Sequence, residues 1–280
     1  EKDGLSDRIM NHFGIKPKAK DLKEWRSFVS KMNNPKGVVK IAVVGKYFDT
    51  GDFVLSDAYI SVIEALKISG AHAGVKTELS WLSSTTFEKG GRTLEKLAKY
   101  DGVLVPGGFG ETGVEGKIKV IEYARKNKIP YFGLCYGMQL MVVEYARNVL
   151  GLKDANTVEI NPKTSNPVID IMPDQKKKLE LREFGASMRL GTYPCVVAKK
   201  TIAYDAYKST KIDERHRHRY EVNPEYVERL ESAGLVFSGK SPNGILMEIA
   251  ELPRTKHPFM LGVQFHPEFL ARPLSPHPLF

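Results

Sequence analysis

The string Tyr131-Phe-Gly-Leu-Cys-Tyr-Gly-Met-Gln139 places one of the chain's two cysteines between glycines, where a buried strand should turn sharply into a helix. Gly133 and Gly137 flank Cys135 as G-x-C-x-G, the thiol version of a nucleophile elbow. Small flanking residues would permit a strained turn that lifts the sulfur clear of the sheet. The N-terminus of the following helix would favour the thiolate. The second half of the constellation lies 131 residues downstream (266 − 135), where the apolar run Met260–Phe265 ends in His266-Pro267-Glu268. Proline biases His266 toward extended backbone, and residues two apart on an extended chain project to one side. The spacing therefore predicts a contact between the His266 imidazole and the Glu268 carboxylate. His266 would exchange protons with the Cys135 sulfur while Glu268 fixes its tautomer. Gly102–Pro106 reads as a short apolar strand leading into Gly107-Gly108-Phe109-Gly110. The N–H groups of Gly108 and of Tyr136, the residue after the nucleophile, are the expected donors to an oxyanion. Such a set suits acyl transfer through a thioester.

This set of motifs resembles the class I (triad) glutamine amidotransferases. Further strings resemble the glutaminase domains of the CTP synthase family: Val43-Val-Gly-Lys-Tyr47, Val105-Pro-Gly-Gly-Phe-Gly110, Asp154-Ala-Asn-Thr-Val-Glu159, Met188-Arg-Leu-Gly191, Glu214-Arg-His-Arg-His-Arg-Tyr-Glu-Val-Asn223 and Gln264-Phe-His-Pro-Glu268. The resemblance runs from about Val38 to the end, which implies a glutaminase domain over 38–280 and an interdomain linker over 1–37. It implies Cys135, His266 and Glu268 as a catalytic triad. It also implies Gly108, Tyr136, Gly137, Met138 and Gln139 around the glutamine side chain through their backbone, Glu159 at the α-ammonium and Arg219 beside the α-carboxylate. The implied activity is hydrolysis of L-glutamine, with ammonia passed to a synthetase domain that aminates UTP to CTP. ATP, UTP and Mg would belong to that missing domain, GTP would be an allosteric activator, and this chain would need no cofactor and no metal. The family context implies a cytoplasmic homo-oligomer in pyrimidine biosynthesis. One departure stands out: the family lid usually reads Gly-x-Arg-Gly-x-Glu-Gly, and here it is Gly110-Glu111-Thr112-Gly113-Val114-Glu115-Gly116. Thr112 in place of arginine puts the usual response to GTP in question. Tyr136 also stands where leucine is common. The chain starts at Glu1 and stops at Phe280, where the family usually continues, so a piece of a longer enzyme is expected. Two rivals stay open: a glutaminase for another synthetase or a γ-glutamyl hydrolase, and a non-enzymatic regulatory or filament-forming module.

Three further motif matches lack the context their chemistry needs. Gly234-Leu-Val-Phe-Ser-Gly-Lys-Ser241 fits a phosphate loop, but its interior is strand-like and Pro242-Asn-Gly244 follows as a turn, which predicts a hairpin. Gly108–Gly113 fits G-x-G-x-x-G without the acidic residue that should close a second strand about 20 residues on. His216 and His218 suggest a metal pair, yet the interleaved arginines would repel a cation.

The elements that must position these residues follow from periodicity. Tyr59, Val62, Ile63 and Leu66 keep helical spacing after a first strand at Val38–Val44. Strands near 75–82, 102–106 and 130–134 alternate with helices near 93–99, 117–128 and 137–149. Further strands are expected near 189–198, 235–239, 245–251 and 259–265. The class is α/β: a central mostly parallel sheet flanked by helices, with an additional smaller β region and the site at the strand C-terminal ends. Upstream, amphipathic helical turns are expected around Leu22, Trp25, Phe28 and Val29. The net charge is +9, with ten Lys or Arg against five Asp or Glu in residues 1–40 and further lysines at 176–178. No aromatic-interleaved basic stripe accompanies them, so nucleic acid binding is not expected. There is no run of about 18 apolar residues and no signal-peptide pattern, so no membrane role is expected.

Overall fold

The computed structural model describes residues 3–16, 21–46, 59–171 and 188–280. Tyr47 and the lysines at 176–178 lie outside the described residues. Three strands, β3 (Gly102–Val105), β4 (Tyr131–Leu134) and β12 (Met260–Val263), are buried along their whole length. Continuous apolar runs of this kind belong at the centre of a parallel sheet covered on both faces. With β1 (Val38–Gly45) and β2 (Lys76–Ser83) they form the parallel order β2-β1-β3-β4-β12. The same sheet then continues antiparallel through β11 (Met247–Leu252), β10 (Val236–Lys240), β7 (Arg189–Val197) and β8 (Lys211–His218). The later strands thus extend the main sheet. The separate small sheet is built instead from β5 (Asn156–Thr157), β6 (Pro167–Ile171) and β9 (Tyr220–Val222), segments without a clear strand period.

Two apolar layers close the sheet. On one face pack α5 (Val114–Asn127), α6 (Tyr136–Asn148) and α8 (Pro224–Ser232); on the other pack α3 (Ile60–Ala73) and α7 (Ile202–Tyr207). The helix expected near 93–99 is a single turn, α4 (Arg92–Glu95), followed by a 3-10 turn over Lys96–Lys99. Leu94 and Leu97 are three apart, which suits the 3-10 period. Upstream, α1 (Leu5–His12) buries no residue, whereas α2 (Lys23–Asn33) buries Phe28 against Ile68 and Ala71 of α3. The expected hairpin is present: β10 and β11 are antiparallel, and Gly244 at φ 74° turns the chain between them. No described helix is long and apolar enough to cross a membrane.

The elbow is made differently from the sequence expectation. Gly133 and Gly137 do not carry the strained backbone; Cys135 does, at φ 49° and ψ −98°. The glycines serve close approach instead. A Cβ on Gly137 would lie 2.3 Å from the Val105 carbonyl oxygen, and one on Gly133 would lie 2.7 Å from the Gly137 carbonyl carbon. A Cβ on Gly262 would come within 2.9 Å of Met138 Cα. The first turn of α6 therefore rests directly on the ends of β3, β4 and β12. Gly137→Ala should push that turn off the sheet and cost about 1–3 kcal/mol by overpacking, read as a lowered urea midpoint with unchanged slope.

Candidate active site

The strand order brings the separated motifs to one edge. β3, β4 and β12 are neighbours, so the loop after β3, the elbow after β4 and the His-Pro-Glu segment after β12 emerge side by side. The Cys135 N–H donates to the Val263 carbonyl at 2.7 Å, extending the β4–β12 ladder up to the cysteine. Together these ends form a cleft of about 510 Å³ that includes Gly108, Cys135, Gln139, Glu159, Arg219, His266 and Glu268.

His266 Nδ1 lies 2.7 Å from Glu268 Oε1, as the spacing anticipated, but the backbone route differs. His266 sits at φ −115° and ψ 82°, and Pro267–Phe269 forms a 3-10 turn rather than extended chain. The turn folds the carboxylate back onto the ring. The imidazole lies between two flat surfaces: a Cβ on Gly107 would approach His266 Cε1 to 2.8 Å, and the Phe269 ring stacks on it at 5.1 Å with an interplanar angle of 15°. The Cys135 sulfur, which lines the same cleft, is the ring's other electrostatic partner. Burial alone would lower the His266 pKa. The Cys135 sulfur, then Glu268, outweigh burial and raise it to about 10. The imidazolium is therefore the stable form at neutral pH.

The glycine-rich loop is held by side chains from three elements. The Gly110 N–H donates to Glu159 Oε1 at 2.9 Å, and Tyr136 Oη donates to the Gly110 carbonyl at 3.0 Å. Lys46, at the end of β1, donates to the Phe109 carbonyl and also lies over the Phe109 ring. Lys117 on α5 is nearly fully buried behind Gly108, and burial followed by the charge of Lys46 pushes its pKa down to about 8.

Of the residues named from sequence, Tyr136, Gly137 and Met138 do not line the cleft. Tyr136 and Met138 are buried in the first turn of α6, and the Gly137 carbonyl accepts from the Tyr131 hydroxyl. Gln139 does reach the cleft, and its Nε2 donates to the Tyr220 carbonyl at 2.9 Å and to Gln264 Oε1 at 3.2 Å. Spacing alone had not singled out Gly107, Gln264, Phe269, Lys46 or Lys117. For Phe269 a signal existed, an aromatic three residues past the histidine; Lys46 lies in one of the strings that carry the resemblance, whereas Lys117 carried no signal.

The Arg-His-Arg-His-Arg run is the two-face pattern of an antiparallel strand. Along β8, Glu214, His216 and His218 are buried while Arg215 and Arg217 point to solvent. His216 Nδ1 and His218 Nε2 are 2.9 Å apart. Arg189 Nη1 lies 2.7 Å from Glu248 and 3.4 Å from Glu221, and the two histidines approach the same carboxylates. Burial, then Arg189, push His216 down to about 3, and burial likewise holds His218 well below the usual range. Neutral histidines in an ion-pair network are structural; among the described residues no group of His, Cys, Asp or Glu is arranged to hold a metal. The network underpins the turn that carries Arg219 into the cleft.

Comparison with known proteins agrees with this geometry. The family described as glutamine amidotransferase class-I matches residues 54–280. A CTP synthase of Caldanaerobacter subterraneus subsp. tengcongensis is 50% identical over 281 residues, covering 100% of this chain and 50% of the relative. One from Sulfolobus acidocaldarius is 49% identical over 280 residues, covering 100% of this chain and 51% of the relative. The chain thus spans about half the length of these curated relatives. Among solved structures, the glutaminase domain of Trypanosoma brucei CTPS with bound acivicin superposes with a TM-score of 0.76 at 38% identity, covering 86% of this chain and 90% of that one. A cysteine elbow, a histidine–glutamate pair and a shared fold at this level of identity lead to one assignment: the chain belongs to the class-I glutamine amidotransferase family, among the glutaminase domains of CTP synthases.

Proposed function

We propose that this chain hydrolyses L-glutamine to glutamate and ammonia through a thioester on Cys135, and that residues 38–280 are the glutaminase unit, led in by residues 1–37. The observation that carries the reading is the Cys135–His266–Glu268 arrangement at the edge of a cleft with charges of both signs. The sulfur attacks the side-chain amide carbon. The Gly108 and Tyr136 N–H groups, which have no protein acceptor among the described residues, hold the developing oxyanion. As the intermediate collapses, the His266 imidazolium gives its proton to the leaving nitrogen, releasing ammonia and leaving a γ-glutamyl thioester. Neutral His266 then takes a proton from water, whose oxygen attacks the thioester carbonyl; the C–S bond breaks, glutamate forms and the sulfur leaves as thiolate. Glu159 and Arg219 receive the α-ammonium and α-carboxylate of the zwitterion.

In the longer enzyme the ammonia passes to a synthetase domain that uses ATP and Mg to aminate UTP to CTP, in a cytoplasmic homo-oligomer with GTP as effector. The CTP synthase relatives, twice this length, support that placement. Glutamate release by the parent enzyme with and without UTP, ATP and GTP tests it; indifference to all three would assign the ammonia to another acceptor.

Four outcomes are expected at the site. Cys135→Ser should reduce glutaminase turnover on the order of 10⁴–10⁶-fold and abolish labelling by a diazoketone analogue of glutamine; undiminished glutamate release refutes the nucleophile. Because His266 must be protonated to expel ammonia, kcat/KM should fall as pH rises through about 10. Glu268→Gln removes part of what raises that value, so the alkaline limb should move to lower pH, with kcat reduced on the order of 10²–10⁴-fold. Gly107→Ala should displace the imidazole it touches and lower kcat about 10²-fold while leaving the urea midpoint nearly unchanged.

A further inference from the structure

The Cys135 sulfur has a second polar neighbour besides His266. Nε2 of Gln264 lies 3.6 Å from Sγ, within reach of an N–H···S hydrogen bond. Gln264 is fully buried and is the first residue past β12. Its main-chain N–H donates to the Glu248 carbonyl at 2.8 Å, so the strand end that carries it is fixed. Neither the attack nor the proton transfers described above uses this amide.

A carboxamide can present a donor or an acceptor, and which end meets the sulfur is decided two links away. The Tyr220 carbonyl can only accept. It takes one N–H of Gln139 at 2.9 Å, and the same amino group lies 3.2 Å from Gln264 Oε1. With its oxygen engaged there, Gln264 has its amino group left for Sγ. A flipped Gln264 would set its oxygen against a negatively charged sulfur and its amino group against that of Gln139. The relay therefore has one self-consistent polarity, running from the Tyr220 carbonyl through Gln139 and Gln264 to Cys135. Tyr220 directly follows Arg219, the residue proposed for the substrate carboxylate.

We propose that Gln264 is a positioning residue for the nucleophile: its amide, oriented by Gln139 and the Tyr220 carbonyl, donates to the Cys135 sulfur, stabilising the thiolate and tying its aim to the seating of the Arg219–Tyr220 segment. The inference rests on Cys135 being the nucleophile. A hydrogen bond to an anion is roughly twice as strong as one between neutral groups, so the donor favours thiolate over thiol. The other charged or titratable groups around the sulfur are His266 and Glu268 beyond β12, Lys46 after β1, Lys117 on α5, Glu159 after β5, and Arg217, His218 and Arg219 at the end of β8. All stay in place in the variants below.

The test is the pH profile of Cys135 alkylation by iodoacetamide in the full chain, with circular dichroism to verify folding and kcat and KM for glutamine measured beside it. Gln264→Met keeps the length of the side chain and removes the donor without adding a charge. It should move the alkylation profile to the alkaline side by about one pH unit or more, equivalent to about tenfold less reactive sulfur at neutral pH. It should lower kcat at least about tenfold with KM changed less than about threefold. Gln139→Leu leaves Gln264 in place but removes what orients it, and should shift the profile the same way by a smaller amount. A merely structural Gln264 would reduce the folded fraction without displacing the profile of what remains folded. Profiles of both variants that superimpose on wild type overturn the proposal. Should Gln264→Met not fold, the Gln139→Leu profile decides it alone. Hydrolysis that survives Cys135→Ser refutes the nucleophile itself, whereas unshifted profiles refute only the relay.

Discussion

How near the first turn of α6 can come to the ends of β3, β4 and β12 governs everything at this site. Gly133, Gly137 and Gly262 remove the three side-chain carbons that would hold helix and sheet apart. With the helix that close, the link between β4 and α6 shrinks to one residue, and Cys135 must take a left-handed φ that a non-glycine residue adopts at a cost of order 1–3 kcal/mol. The Cys135 N–H bond to Val263 and the nearly complete burial of α6 hold it there. The result is a sulfur on a short, stiff connection that cannot swing away from His266.

The same edge of the sheet tolerates charge because each charged group is given a specific neighbour. His266 keeps its proton against burial because the sulfur and Glu268 face it. Arg189 lies between Glu221 and Glu248, although burial still raises Glu248 to about 7. That cluster sits where β8 passes into β9, under the turn that presents Arg219 and Tyr220. The glycine-rich loop after β3 is braced in a comparable way, with Lys46, Glu159 and Tyr136 each taking one of its backbone groups. Catalytic geometry here is maintained by polar contacts between elements, while the two apolar layers hold the elements themselves.

Much of this was legible locally. The buried strands β3, β4 and β12 announce themselves as apolar runs, α5 and α6 show helical spacing close to their observed bounds, and α3 shows it over its first half. β8 was harder to read because Lys-Ile-Asp-Glu-Arg-His-Arg-His is polar at nearly every position; its inward face is charged and becomes a strand face only once Arg189, Glu221 and Glu248 receive it. β5, β6 and β9 are too short to carry a period.

Residue types and their spacing picked out the sulfur, the imidazole and the carboxylate proposed to act, and the glycines that surround the first of them. Those signals are local, because a thiol in an elbow and a histidine two residues from a glutamate are adjacent along the chain. Only the tertiary structure decided that the strain falls on Cys135 rather than on its glycines, that a 3-10 turn delivers Glu268, and that Gln264 reaches the sulfur from the neighbouring strand. The approach of Gly262 to Met138 and of Gln264 to Cys135 joins segments more than a hundred residues apart, whose register is set by packing and leaves no mark in any short stretch of sequence.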